Sequence, residues 1–279
     1  MIALLARIVF QLLAVYVIIL LVVYFMQRSL QYFPDKNYPG EPAENGVPAM
    51  QVVELATEDG LTLNAWFAPP VKRDGKIVVY YHGNAGHIGH RAAKVQHFID
   101  KGMGVLLIDY RGFGGNLGSP TEQGLYHDAR AALRFLEKKE YAVSQFVLYG
   151  ESIGSGVATQ MALEIQPRYL ILEAPFSSAA DVAKKKYFFL PVDFLMKDRY
   201  DNTEKIADIK TSLLIVHGDE DAVIPISLGQ KLYDRAQHPK EFITINGGHH
   251  NDLYDHHAGH VIVEWLEKQI DAEATITPE

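Results

Sequence analysis

Cysteine is absent from all 279 residues. That excludes disulfides, thiolate metal sites, a cysteine nucleophile and lipid attachment through sulfur. It leaves the redox compartment open, since a chain without thiols tolerates either. A surplus of positive charge is missing too: 26 lysines and arginines stand against 34 acidic residues, a formal net charge of −8. No basic cluster interrupts that balance, so a nucleic-acid backbone is not an expected partner. No internal repeat is visible. With 48% hydrophobic residues, the length suits one α/β domain plus an appendage.

The appendage stands first. Ile8 to Gln27 is nearly all apolar, broken only by Gln11 and bounded by Arg7 and Arg28. At ~1.5 Å per residue these positions cover ~30 Å, the thickness of a bilayer core. Tyr24, Tyr32 and Phe33 fall where an interfacial aromatic belt would lie. A cleaved signal peptide calls for small residues after the apolar run, whereas Phe25-Met26-Gln27-Arg28 is bulky. A buried core helix would not carry leucine, valine and isoleucine on every face. Residues 1–33 are therefore expected to be a retained signal anchor, making this a single-pass membrane protein. The amino terminus and Arg7 before the span balance Arg28 and Lys36 after it, so the flanking charges choose no orientation. Residues 34–50, with four prolines and two glycines, are expected to form a stiff linker. A domain over 51–270 and a disordered tail over 271–279 follow.

Within the domain, short apolar runs alternate with helical patterns. Val52–Leu55 and Leu61–Phe67 flank Glu58-Asp59-Gly60 as a hairpin. Ile77–Tyr81, Val105–Ile108, Phe146–Tyr149, Tyr169–Leu172, Leu213–Val216 and Glu241–Ile245 read as strands, most of them buried on both faces. Helical patterns lie between them, and a last one runs from Val261 to Ile270. Such alternation predicts a mostly parallel sheet with helices on both faces. In such sheets a ligand crevice lies beyond the C-terminal strand ends.

One of those ends carries Gly150-Glu151-Ser152-Ile153-Gly154 between a strand and a helix. A serine at the tip of a sharp strand-to-helix turn takes strained backbone angles, which leave no room for side chains two positions to either side. The hydroxyl stands clear of the sheet, and the Ile153 amide is free to hold an oxyanion. A glycine-rich turn with no chemistry is the bland alternative. The other strand ends supply His82-Gly83-Asn84, His217-Gly218-Asp219-Glu220-Asp221 and Gly247-Gly248-His249-His250-Asn251-Asp252. A serine needs an adjacent base to become nucleophilic near neutral pH, and the base needs a carboxylate to fix its tautomer.

The order Ser, Asp, His resembles the α/β-hydrolase superfamily. His82-Gly83-Asn84-Ala85-Gly86, Asp109-Tyr110-Arg111-Gly112, His250-Asn251-Asp252, Leu190-Pro191-Val192 and Lys197-Asp198-Arg199-Tyr200-Asp201 are similar, more narrowly, to the single-pass serine hydrolases with an α/β-hydrolase domain and a small lid. The resemblance covers nearly all of 50–270 and implies an eight-stranded α/β-hydrolase sheet with a lid over about 176–210. It places the catalytic acid on Asp221, with Asp219 the rival, and the base on His250, with His249 the rival. It assigns the oxyanion amides to Ile153 and to Asn84, with Ala85 the alternative. His82 is then expected to brace the oxyanion loop, and Asp252 to be structural.

No metal or organic cofactor is required by that chemistry. His249, His250, His256, His257 and His260 could assemble a metal site on paper, but the resemblance claims His250 for the triad. His87 and His90 read as solvated residues at a helix start. Tyr110-Arg111-Gly112-Phe113-Gly114 lacks the lysine of a phosphate loop and reads as a turn. In the lid, Lys184-Lys185-Lys186 precedes Tyr187-Phe188-Phe189-Leu190. Aromatic packing on the domain is the plain reading; an acyl pocket or a surface facing an anionic membrane is the sharper one.

Together these features predict a membrane-tethered serine hydrolase acting on an ester or thioester of an acyl chain. A lysophospholipid, a monoacylglycerol and an acylated protein are the candidate substrates. An oligopeptidase-like serine peptidase and a catalytically silent membrane-bound scaffold are the alternatives.

Overall fold

The computed structural model describes residues 1–237 and 239–276. A 30-residue helix, α1 (Ile2–Gln31), opens the chain and is long and apolar enough to cross a membrane. Its continuation, β1 (Phe33–Pro34), is a two-residue strand. A hairpin follows, β2 (Gln51–Ala56) and β3 (Thr62–Ala68), then β4 (Ile77–Tyr81) and the two-residue β5 (Ala85–Gly86). Next come α2 (Ala92–Ile99), β6 (Gly104–Ile108), α3 (Glu122–Lys138), β7 (Phe146–Glu151), α4 (Ile153–Ile165) and β8 (Tyr169–Glu173). The lid carries α5 (Ala179–Lys186), α6 (Val192–Leu195) and α7 (Asn202–Ile206). The chain closes with β9 (Ser212–Gly218), α8 (Ile226–Arg235), β10 (Lys240–Ile245) and α9 (Ala258–Ile276).

Eight strands form one sheet in the order β10-β9-β8-β7-β4-β6-β3-β2, parallel throughout except where β3 meets β2 and β6. The central strands read as unbroken apolar runs because both faces are covered. Along β4, Ile77, Val79 and Tyr81 enter the core under α3 and α4, while Val78 and Tyr80 enter the core under α2 and α9. The period of two therefore sorts one apolar strand into two separate cores.

Two expected boundaries change. The tail placed at 271–279 is corrected, because α9 continues past Asp271 to Ile276, and residues 277–279 lie outside those described. Glu273 pairs with Lys76 at 3.2 Å and also with Arg168, so long-range ion pairs hold the polar last turns onto the domain. Residues 34–50, expected to form a linker, lie against the domain. Val47 and Met50 are buried in the second core, and β1 pairs in parallel with β5, with Phe33 beside Ala85. The end of α1 is thereby stitched to the loop carrying Asn84.

The turn after β6 is structural. The Arg111 guanidinium is held by Asp59 and Asp128 at 2.6–2.9 Å, and a side chain at Gly114 would strike the Asp109 carboxylate. The guanidinium is thereby spent within the fold and is not offered to a phosphate.

Candidate active site

Ser152 stands at the junction of β7 and α4 with φ +52° and ψ −118°, a conformation that costs a non-glycine residue about 1–3 kcal/mol. Its amide donates to the Glu173 carbonyl at 2.9 Å, tying the turn to β8. The flanking glycines are steric necessities. A β-carbon at Gly154 would sit 2.0 Å from the Tyr81 carbonyl oxygen, and one at Gly150 would sit 2.5 Å from that of Gly154. As the first residue of α4, Ile153 has an amide with no partner inside the helix.

Ser152 Oγ lies 3.0 Å from His250 Nε2, and His250 Nδ1 lies 2.7 Å from Asp221 Oδ2. These three side chains come from loops after β7, β9 and β10, whose C-terminal ends open on the same edge of the sheet. Asp221 Oδ1 accepts the amides of Val223 and Ile224, both at 2.8 Å, which leaves Oδ2 for the imidazole. Burial alone would push the Asp221 pKa up. Hydrogen bonds from His217, His250 and the Ile224 amide outweigh it and hold the carboxyl well below the usual carboxylate range.

The rival residues are engaged elsewhere. Asp219 accepts the Gly247 amide at 2.7 Å and so fastens the histidine loop. His249 is exposed, and its ring nitrogens face Asp252 at 3.1 Å and Glu220 at 3.4 Å. Buried His82 bridges Asp109 (3.1 Å) and the Gly83 carbonyl (2.7 Å), bracing the loop that presents Asn84. The Asn84 side chain donates to the Gln31 carbonyl at 2.7 Å, in the last residue of α1.

Sequence reasoning passed over several partners. His217 is buried and its Nε2 donates to the Ile224 carbonyl at 2.8 Å, with Asp221 at 3.4 Å. Glu151, next to the serine, takes Arg91 at 3.0 Å, Lys94 at 3.6 Å and the Tyr80 hydroxyl at 2.9 Å. Gln27, Arg28 and Gln31 hold the lid: Arg28 grips Asp198 through two bonds, at 2.8 and 3.2 Å. Their one visible signal was polarity recurring at the end of an apolar helix.

Ser152 and His250 open into a cavity of about 920 Å³ whose walls come from α1, the lid and the Ala222–Pro225 loop. The lining is mostly apolar, with Lys185 and Lys186 among it and no carboxylate among the described residues. As for metal ligands, Asp35, His87 and His90 lie close together. However, Nδ1 of His87 accepts the Gly89 amide and Nδ1 of His90 accepts the His87 amide, so both rings serve the loop as acceptors.

Two family models match the chain, one described as serine aminopeptidase, S33, over residues 72–192, the other as serine hydrolase (FSH1) over 138–251. The chain belongs to the α/β-hydrolase superfamily of serine hydrolases. The Mycobacterium tuberculosis protein Rv2307c is 37% identical over 81% of each chain. The lysophosphatidylserine lipase ABHD12 of Danio rerio is 32% identical over 72% of this chain and 56% of that one. Among solved structures, the Pyrococcus furiosus esterase Pf2001 superposes with a TM-score of 0.68 at 20% identity, over 85% of this chain and 98% of that one. Membership of that superfamily makes the protein a serine hydrolase.

Proposed function

We propose that the protein is a membrane-tethered hydrolase that cleaves the ester or thioester of a single acyl chain. Ser152 Oγ attacks the acyl carbonyl as His250 Nε2 takes its proton, and Asp221 fixes the imidazole in the tautomer with Nδ1–H. The amides of Ile153 and Asn84 receive the oxyanion. Collapse expels the leaving alcohol or thiol, protonated by His250, and water activated by the same histidine frees the acid from Ser152. The observation that carries this reading is the Ser152–His250–Asp221 hydrogen-bonded chain at the floor of an apolar cavity.

The carboxylate-free lining argues against the aminopeptidase reading that one family description suggests, because a peptide's ammonium terminus calls for a buried anion. Lys185 and Lys186 at the cavity instead suit a phosphate-bearing or otherwise anionic head group, so lysophospholipids lead, ahead of monoacylglycerols and acylated proteins. The test is fluorophosphonate labelling together with p-nitrophenyl ester hydrolysis by the purified full chain. Ser152→Ala should abolish labelling and lower turnover by about 10⁴–10⁶-fold. A wild-type protein that neither labels nor turns over would refute the reading and leave the silent scaffold.

A further inference from the structure

We propose that α1 is one wall of the acyl-chain subsite and that the lid tip enters the same leaflet, so that the substrate chain reaches Ser152 from within the bilayer. This rests on the reading of the site as a tethered acyl hydrolase and specifies where its substrate comes from.

The exposure pattern of α1 marks one side of the helix. Leu20, Val23, Gln27 and Gln31 are half-buried, and every other residue of the helix is exposed. Spacings of three, four and four place those positions on a single face. Val23, Gln27, Leu30 and Gln31 line the cavity that holds Ser152. A helix serving only as a tether would have no reason to close the pocket.

The path of the lid follows the same face. Gln31 meets the Asp198 carbonyl at 3.1 Å, Gln27 meets the Leu195 carbonyl and the Lys197 amide at 3.0 and 2.7 Å, and Tyr16 donates to the Phe189 carbonyl at 2.8 Å. From Gln27 to Tyr16 is eleven residues, or ~16 Å along the axis. The lid therefore climbs the helix, and its tip lies beside the middle of the apolar segment. Non-helical backbone at membrane depth must have its polar groups satisfied by protein. The Tyr16 hydroxyl does this for the Phe189 carbonyl.

The tip itself is apolar. Phe188 and Phe194 are 86% and 90% exposed, as are many leucines and valines of α1 to a lesser degree. The occupant that fits this continuous apolar surface is lipid hydrocarbon. The preceding lysines, Lys184 to Lys186 in the last turn of α5, then fall at head-group depth.

Two measurements on the full chain decide it. With p-nitrophenyl esters from C4 to C16, Val23→Trp and Leu30→Trp should each lower the C16-to-C4 ratio of kcat/KM at least tenfold. Val22→Trp, on a face directed away from the cavity, should keep the wild-type ratio. Unchanged ratios in both wall variants, from an enzyme that still hydrolyses C4, would overturn the wall. A wild type inactive on every ester would instead overturn the hydrolase reading. In phosphatidylcholine vesicles, Phe188→Trp fluorescence should be quenched by acyl-brominated lipid, against native Trp66 and Trp265 buried in the domain. Absence of added quenching would overturn entry from the leaflet.

Discussion

Truncating Glu151 to alanine should cost the fold about 3–5 kcal/mol, the range found when one partner of a buried ion pair is removed. The surroundings place it in that class. The side chains of Glu151, Arg91 and Lys94 are only 12%, 11% and 16% exposed, and Glu173, bonded to Lys94 at 2.7 Å, is buried. Burial would raise the Glu151 pKa, but the charges of Lys94 and Arg91 overcome it and hold the group well below the usual carboxylate range. Without it, Glu173 alone faces two cations. At an effective dielectric near 20, a unit pair 3 Å apart interacts by about 5 kcal/mol, so most of one such interaction is forfeited. A surface pair would be worth only ~0–1 kcal/mol. For a domain of this size ~1 kcal/mol moves Tm by ~2–4 °C, so Glu151→Ala should melt ~6–20 °C lower. Thermal unfolding of the full chain in detergent micelles, followed by near-UV circular dichroism, reads this directly. Glu151→Gln, which keeps the shape and one acceptor, should fall between the two. A drop below ~2 °C for the alanine variant would refute the reasoning and mean that solvent screens the cluster.

Three further outcomes follow from the site. Gly154→Ala should yield little folded protein and no fluorophosphonate labelling, since its β-carbon would meet the Tyr81 carbonyl at 2.0 Å; a stable, labelled variant would contradict the geometry of the turn. Asn84→Ala, which frees its loop from the Gln31 carbonyl, should lower kcat several-fold with little change in KM if the proposed oxyanion role holds, and the opposite split would argue for a role in binding alone. Asp221 has a depressed pKa in the fold, so its stabilising contribution is fully present above its unfolded value near ~3.9 and is lost only as pH falls through the lower folded value. The Tm gap between wild type and Asp221→Asn should therefore narrow as pH falls below about 4, and a gap that stays unchanged there would show that folding leaves this carboxyl unperturbed.

The sheet was legible because its signals are local. Ile77–Tyr81 is apolar at every position, which a strand buried on both faces requires, and Gly150 and Gly154 stand where backbone leaves no room for a β-carbon. The choice between Asp219 and Asp221 was not legible from the residues themselves, since both sit in one loop and only the resemblance favoured the second. Backbone amides separate them: those of Val223 and Ile224 turn one Asp221 oxygen away and aim the other at His250, while Asp219 is occupied by Gly247. Polar composition suggested a frayed end at Asp271, because the ion pairs that extend α9 reach residues more than a hundred positions away.

The least legible element was α1, because it is apolar on every side over most of its length. A soluble amphipathic helix announces its packed face by contrast between apolar and polar sides. A helix that is apolar all round carries no such contrast on the face it packs. What marks that face here is Gln27 and Gln31, one turn apart, whose side-chain amides are spent on the Leu195 carbonyl, the Lys197 amide and the Asp198 carbonyl. Those bonds fix the lid to the helix, and the Asn84 side-chain amide fixes its own loop to the same helix end. The segment that a hydropathy plot separates from the enzyme is thus continuous with it, and replacing α1 by an unrelated apolar helix should impair hydrolysis of long-chain esters.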